Sequence, residues 1–207
     1  MRSLKPKNTK ISIIGSGGHS RAVIGLLIDF ELSIEGFYDV KIIPNEEILG
    51  IKGGDLNILP INTAIILAIG DNKKREEYYN SYSKRIYQST IIHESAYVHD
   101  SVTLKGSSLI FPGVHINTLC KIGKNNIINS KCIIEHESII KDHCHISIGS
   151  IISGRVEIGN NCFIGAGAVI KDNIKICDNV TIGAGSVVVK NIDSPGIYAG
   201  NPIKRLK

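Results

Sequence analysis

From Val98 to Val188 every sixth residue is Ile, Leu or Val: Val98, Leu104, Ile110, Ile116 and onward with no slip of phase. A helix would repeat its apolar positions at 3.6 and a strand at 2, so this run is neither. A fixed hexad sustained over so long a segment predicts a repeat architecture, and hexapeptide repeats build a parallel β-helix. Two places before each large residue stands a small or medium one, among them Ser108, Cys120, Asn126, Cys132, Ser138, Cys144, Ser150 and Cys162. Strand alternation turns this second column inward as well. One large and one small side chain per hexad fill a narrow prism, stable only as a stack of coils. Glycine often follows the large residue (Gly123, Gly159, Gly165, Gly183), which predicts a corner needing permissive backbone there.

The first ninety residues read differently. "KISIIGSGGHSRAVIGLLIDF" is a short apolar strand, a glycine loop and a helical segment; "IEGFYDV" is a second strand reaching Asp39. "TAIILAIGDNKKREEYYNSY" is a third strand, a Gly-Asp-Asn loop and a polar helix. Strands alternating with helices predict a small parallel α/β sheet, whose ligands bind at the carboxyl ends of the strands. "GSGGHS" falls short of the dinucleotide fingerprint because Ser20 stands where its last glycine belongs, although Asp39 lies where a ribose-binding carboxylate would. The division expected is an α/β domain over 1–90 and a β-helix over 91–207.

Composition narrows the partners. Much of the net charge of +5 sits in "MRSLKPKNTK" and "NPIKRLK", so a nucleic-acid partner is not expected, while nucleotides and coenzyme A are compatible. No apolar run reaches the length of a membrane span, and "ISII" is too short for a signal-peptide core. The five cysteines contain no CxxC pair, and four occupy the small inward column. Cys144 and Cys162 should stack within disulfide reach, yet their place predicts reduced core filling in a cytoplasmic protein.

"IIGSGGHSRAV", "AIGDNKKR", "IEHE", "HCHISIG" and "AGNPIKR" together resemble the bacterial sialic-acid O-acetyltransferase and nucleotide-amino-sugar N-acetyltransferase family, over nearly the whole chain. The resemblance implies a Rossmann-like α/β N-terminal domain followed by a left-handed parallel β-helix of three hexads per coil. It implies a homotrimer with acetyl-CoA, and no metal, in the groove between neighbouring prisms. It implies acetyl transfer to the 4-amino group of a UDP- or dTDP-linked 4-amino-4,6-dideoxy sugar. His136 and Glu137 match the catalytic pair of the family. His145, Ala166 and Ala184 match its coenzyme contacts, and Gly17, Gly18, His19, Asp39, Val40 and Gly70 its nucleotide-sugar contacts. Arg21 is a further candidate for phosphate. Sialic-acid O-acetylation and an inactive nucleotide-sugar-binding module are the alternatives.

The chemistry requires few groups. A sugar ammonium must lose a proton before its nitrogen attacks a thioester, and histidine suits that task near neutral pH. By strand alternation His136 would point inward, at a high desolvation cost; a corner after Ile134 would turn it out. His145 lies on the outward parity of its strand. His93, His99, His115 and His143 match no such role and are expected at the surface or in loops. No cysteine stands beside His136, which favours direct transfer over a covalent acyl-enzyme.

Overall fold

In the computed structural model, residues 9–206 are described; most of the basic N-terminal stretch lies outside them. The chain divides into two compact units, joined between Ile91 and Ile92.

In the N-terminal unit, β1 (Lys10–Ile14), β2 (Ser33–Asp39), β4 (Ile51–Asp55) and β5 (Ala64–Leu67) lie parallel in the order β4-β2-β1-β5. Helix α1 (Gly18–Asp29) follows β1 and α2 (Asn72–Ser81) follows β5. The sheet is not purely parallel: a short edge strand β3 (Glu47–Ile48) pairs antiparallel with β4. "EEILGIKGGD" carries too few alternating apolar residues to announce this hairpin, and Gly50 at φ +81 turns it. Ile11, Ile13, Ile14, Val23, Leu27, Phe37 and Ile65 form the buried interior.

The second unit is a three-faced β-helix. Strands recur at a register of eighteen residues: Tyr97 pairs with His115, His115 with Ile133, Ile133 with Ile151, Ile151 with Val169 and Val169 with Val187 on the first face. A second face runs from Thr103–Leu104 to Lys175–Ile176 and a third from Leu109–Ile110 to Val180–Ile182. Gly196–Ala199 extends the third face in parallel, and Lys204–Arg205 closes its edge antiparallel. Every large column residue from Ile110 to Val188 is buried.

The small column does more than fill space. Ser108, Cys120, Asn126, Cys132, Ser138, Cys144, Ser150 and Cys162 each donate to the carbonyl fifteen residues on, at 2.9–3.3 Å. Each such carbonyl follows a large column residue of the next coil and is satisfied by the column's side chain. Hydroxyl, thiol and amide serve alike, which is why the column mixes Ser, Cys and Asn. Among the described residues no cysteine is in a disulfide.

The glycines after the large residues have another cause than the one expected. None of Gly123, Gly159, Gly165 and Gly183 has positive φ; the left-handed residue comes two places later, at every sixth position from Ser107 to Gly185. A Cβ on Gly123 would strike Asp142 Oδ1 and Lys141 C, and one on Gly165 would lie 2.6 Å from Ala184 N. These glycines admit the next coil's backbone. The left-handed residues are mostly not glycine, and their strain is offset by hydrogen bonds such as Glu137 N–H to Thr118 O and Arg155 N–H to His136 O, each 2.9 Å.

Candidate active site

After Ile134 the chain turns a corner from the first face to the second, with His136 first and Glu137, at φ +61, second in the turn. The left-handed residue swings both side chains outward; His136 is 42% and Glu137 47% exposed. His136 Nδ1 lies 3.1 Å from Glu137 Oε2. With Nδ1 donating to the carboxylate, Nε2 carries the lone pair and faces away from the pair. Arg155, one coil on, reaches the same Oε2 with Nη1 at 3.4 Å. Sequence reasoning missed Arg155, though the eighteen-residue period could have located it as the neighbour stacked on Glu137.

His145 stands on the third face. Its parity is outward, but neighbours cover it: it is buried against Phe163, edge to face at 5.1 Å, and its Nε2 meets Asn129 Nδ2 at 3.3 Å. His143, expected at the surface or in a loop, is the left-handed residue of a turn but is buried, with Nδ1 2.7 Å from Asn125 Nδ2. His93 and His99 bind Ser95 and Ser101 in matching turns, and His115 stacks on Tyr97. Ala166 and Ala184 are exposed and stack at the corner between the third and first faces, where Gly185 N–H donates to Ala166 O at 2.8 Å. One copy of the chain therefore brings His136 to Glu137, and His145 towards the corner of Ala166 and Ala184, but sets these two groups on different edges of the prism.

In the N-terminal unit the glycine loop joins β1 to α1. Gly17 caps α1 with no side chain, and Gly18 opens the helix. A Cβ on Gly17, Gly18 or Gly70 would meet nothing within 4 Å, and none has positive φ. Neither torsion nor packing within the chain requires glycine there; Gly17 and Gly18 leave open space at the start of α1, a place suited to phosphate, and Gly70 leaves it in the loop before α2. Asp39, at the end of β2, takes Ser16 N–H and Oγ–H on Oδ2 and Val40 N–H on Oδ1. Arg21 is committed elsewhere: its Nη2 lies 2.8 Å from Glu46 Oε1 and its Nη1 donates to the Ser16 and Gly17 carbonyls. Buried Arg75 of α2 donates to Ile69 O, Gly70 O and Asn72 Oδ1, bracing the Gly70 loop from beneath. Burial, with the Arg75 charge nearby, pushes the His19 pKa down to about 4, so its imidazole is neutral at physiological pH.

Among the described residues, no helix is long and apolar enough to cross a membrane, and no group of three or more His, Cys, Asp or Glu could hold a metal ion.

Comparison with known proteins gives the same two parts. Residues 10–82 match the PglD N-terminal domain family, and residues 137–172 and 155–190 match the bacterial transferase hexapeptide family (six repeats). Perosamine N-acetyltransferase from Caulobacter crescentus, solved as a histidine-to-asparagine variant with CoA and GDP-perosamine, is 29% identical, with a TM-score of 0.89 over 96% of this chain and 97% of that one. The acetyltransferase domain of PglB from Neisseria gonorrhoeae, solved with acetyl coenzyme A, is 26% identical, with a TM-score of 0.86 over 96% of this chain and 100% of that one. WeeI from Acinetobacter baumannii, at 24% identity and a TM-score of 0.88 over 96% and 100% of the chains, shares the fold. The left-handed β-helix and the Rossmann-like N-terminal domain expected from the resemblance stand on these matches.

Proposed function

We propose that this chain, a PglD N-terminal domain followed by bacterial transferase hexapeptide repeats, is an acetyl-CoA-dependent sugar N-acetyltransferase. Its acceptor is the 4-amino group of a nucleotide-linked 4-amino-4,6-dideoxy sugar. The nucleotide is UDP or dTDP by the sequence resemblance, and the GDP-sugar held by the Caulobacter neighbour adds GDP to the candidates.

The observation that carries this reading is the outward His136–Glu137 pair at its 3.1 Å contact. His136 Nε2 takes a proton from the sugar ammonium, and Glu137 fixes the ring and balances the imidazolium that forms. The freed amine attacks the thioester carbonyl. The C–S bond breaks, the second proton of the attacking nitrogen passes to the departing CoA thiolate, the neutral amide keeps the acetyl group, and His136 releases its proton to solvent. Gly17, Gly18, His19, Asp39, Val40 and Gly70 hold the nucleotide sugar in the N-terminal unit; His145, Ala166 and Ala184 hold acetyl-CoA on the β-helix.

Because His136 and the His145–Ala166–Ala184 group lie on different prism edges, the site is completed by a second copy, in a homotrimer. Light scattering should return a trimer; a fully active monomer would sink the shared site.

The deciding experiment is thiol release from acetyl-CoA with UDP-, dTDP- and GDP-linked 4-amino sugars and with free sialic acid. Turnover with one amino sugar supports the proposal. Turnover with sialic acid alone would replace it with O-acetylation, and no turnover with any acceptor would leave a binding module.

A further inference from the structure

The same corner recurs on the β-helix every eighteen residues, and its first turn residues are Asp100, Thr118, His136, Gly154 and Asp172. Four of the five carry side chains; Gly154 carries none. Its φ is not in the left-handed region, so the backbone does not require glycine. The imidazole of the preceding coil does: a Cβ on Gly154 would lie 2.6 Å from both Cε1 and Nε2 of His136 and 3.2 Å from Cδ2. The missing side chain is the space the ring occupies.

The next residue, Arg155, holds the other half of the pair. Its N–H donates to His136 O at 2.9 Å, and its Nη1 lies 3.4 Å from Glu137 Oε2, the oxygen that also meets His136 Nδ1. Arg155 Nε donates to Asn173 Oδ1 at 3.0 Å, and Asn173 Nδ2 to Asp172 Oδ2 at 2.6 Å. Glu137, Arg155 and Asn173 are the left-handed residues of three successive coils. Their side chains therefore rise from one edge in a fixed stack.

We infer that Gly154 and Arg155 are positioning residues for His136, Gly154 seating the ring and Arg155 fastening the carboxylate that orients it. The inference rests on His136 being the general base. Carbon atoms in ordinary contact stand about 3.5–4 Å apart, so a Cβ at Gly154 drives the ring away by roughly 1 Å. A base must approach its proton within hydrogen-bond reach, and a misplacement of about 1 Å can cost on the order of 10²-fold in rate. The ring is the free end of a half-exposed side chain and can yield, so the fold should tolerate the change. The Arg155–Glu137 pair is half-exposed as well, and such pairs contribute little to stability. Its loss should register in turnover.

The test uses the full chain as Gly154→Ala, Arg155→Gln, Arg155→Lys and His136→Ala. It measures kcat, both KM values, the melting temperature and the His136 ring signals in ¹H–¹³C NMR spectra, identified by their loss in His136→Ala. Gly154→Ala should lower kcat by roughly 10–10²-fold, shift the ring signals, and leave the acetyl-CoA KM within about twofold. Arg155→Gln should lower kcat by about 3–10-fold, with partial rescue in Arg155→Lys, which keeps the charge but not the fork. Melting temperatures should stay within a few degrees. If Gly154→Ala and Arg155→Gln both keep wild-type kcat while His136→Ala is inactive, the inference fails and the proposed function stands. If His136→Ala is itself active, the reading of His136 as base fails. A fall in melting temperature that matches the loss of activity in both Gly154→Ala and Arg155→Gln would reassign the two residues to stability.

Discussion

Asp39 Oδ2 accepts both the N–H and the hydroxyl of Ser16, at 2.9 and 3.2 Å, across twenty-three residues of sequence. The carboxylate thus ties the end of β2 to the loop that leaves β1. It shapes the glycine loop before any ligand arrives. Asp39→Ala should raise the KM for the nucleotide sugar by about tenfold or more, since a hydrogen bond to a charged group is worth roughly 1.5–3 kcal/mol. The acetyl-CoA KM should stay unchanged. Steady-state kinetics with each substrate varied in turn check this, and equal effects on both would misplace the acceptor.

Removal of the proposed base tests the β-helix site directly. His136→Ala should lower kcat by about 10²–10⁴-fold, the usual contribution of a positioned proton acceptor. Acetyl-CoA should still bind, measured by calorimetry. Glu137→Gln should cost less, and if the two act as a unit the double variant His136→Ala/Glu137→Gln should be little worse than His136→Ala alone. Additive losses would give Glu137 a role of its own.

His19 makes the protein acid-sensitive. Its pKa is lowered to about 4 in the fold against 6.5 for the free side chain. Below pH 6.5 the unfolded chain takes up a proton that the folded chain refuses until about pH 4. The contribution of His19 to stability is therefore full well above pH 6.5 and is lost towards pH 4, by up to about 3 kcal/mol at 1.36 kcal/mol per pH unit. Urea unfolding at pH 7.5 and pH 5 should show the loss, and His19→Gln should shrink it.

Two glycines two positions apart, Gly165 and Gly167, should respond differently. Gly165→Ala forces a Cβ against the backbone of the next coil, which cannot yield as a side chain can, and should cost about 1–3 kcal/mol as overpacking does. Gly167, at φ +65 with nothing within 4 Å of an added Cβ, occupies the position where Asn161, Asn173 and Asn179 stand in other hexads. Gly167→Asn should stay within about 0.5 kcal/mol of wild type. Thermal unfolding of the two variants separates close approach from torsion as the reason for glycine.

The hexad was legible in the sequence because each coil repeats the same demand: one large and one small inward residue per strand, in a prism too narrow for anything else. The period, the phase and the buried columns follow from that demand alone. The α/β order of the first unit was legible too, since β1, α1, β2 and β5 carry their own apolar patterns and α2 follows the Gly-Asp-Asn loop as a polar segment. The β3–β4 hairpin was not, because its glycines give no alternation to read. Nor could the sequence say why a given glycine is a glycine. Gly123 and Gly165 look like torsional corners and are close approaches, a matter of what lies one coil away. The small column looked like filler, and only the register showed its hydroxyls, thiols and the Asn126 amide donating to carbonyls fifteen residues on. The resemblance picked out His136 and Glu137, but Gly154 and Arg155 became visible only when the coil stacked them on that pair. Local pattern fixes which face of a strand turns inward; which side chains meet across eighteen residues is decided by the stacking of coils, where contacts between residues distant in sequence set the space around each group.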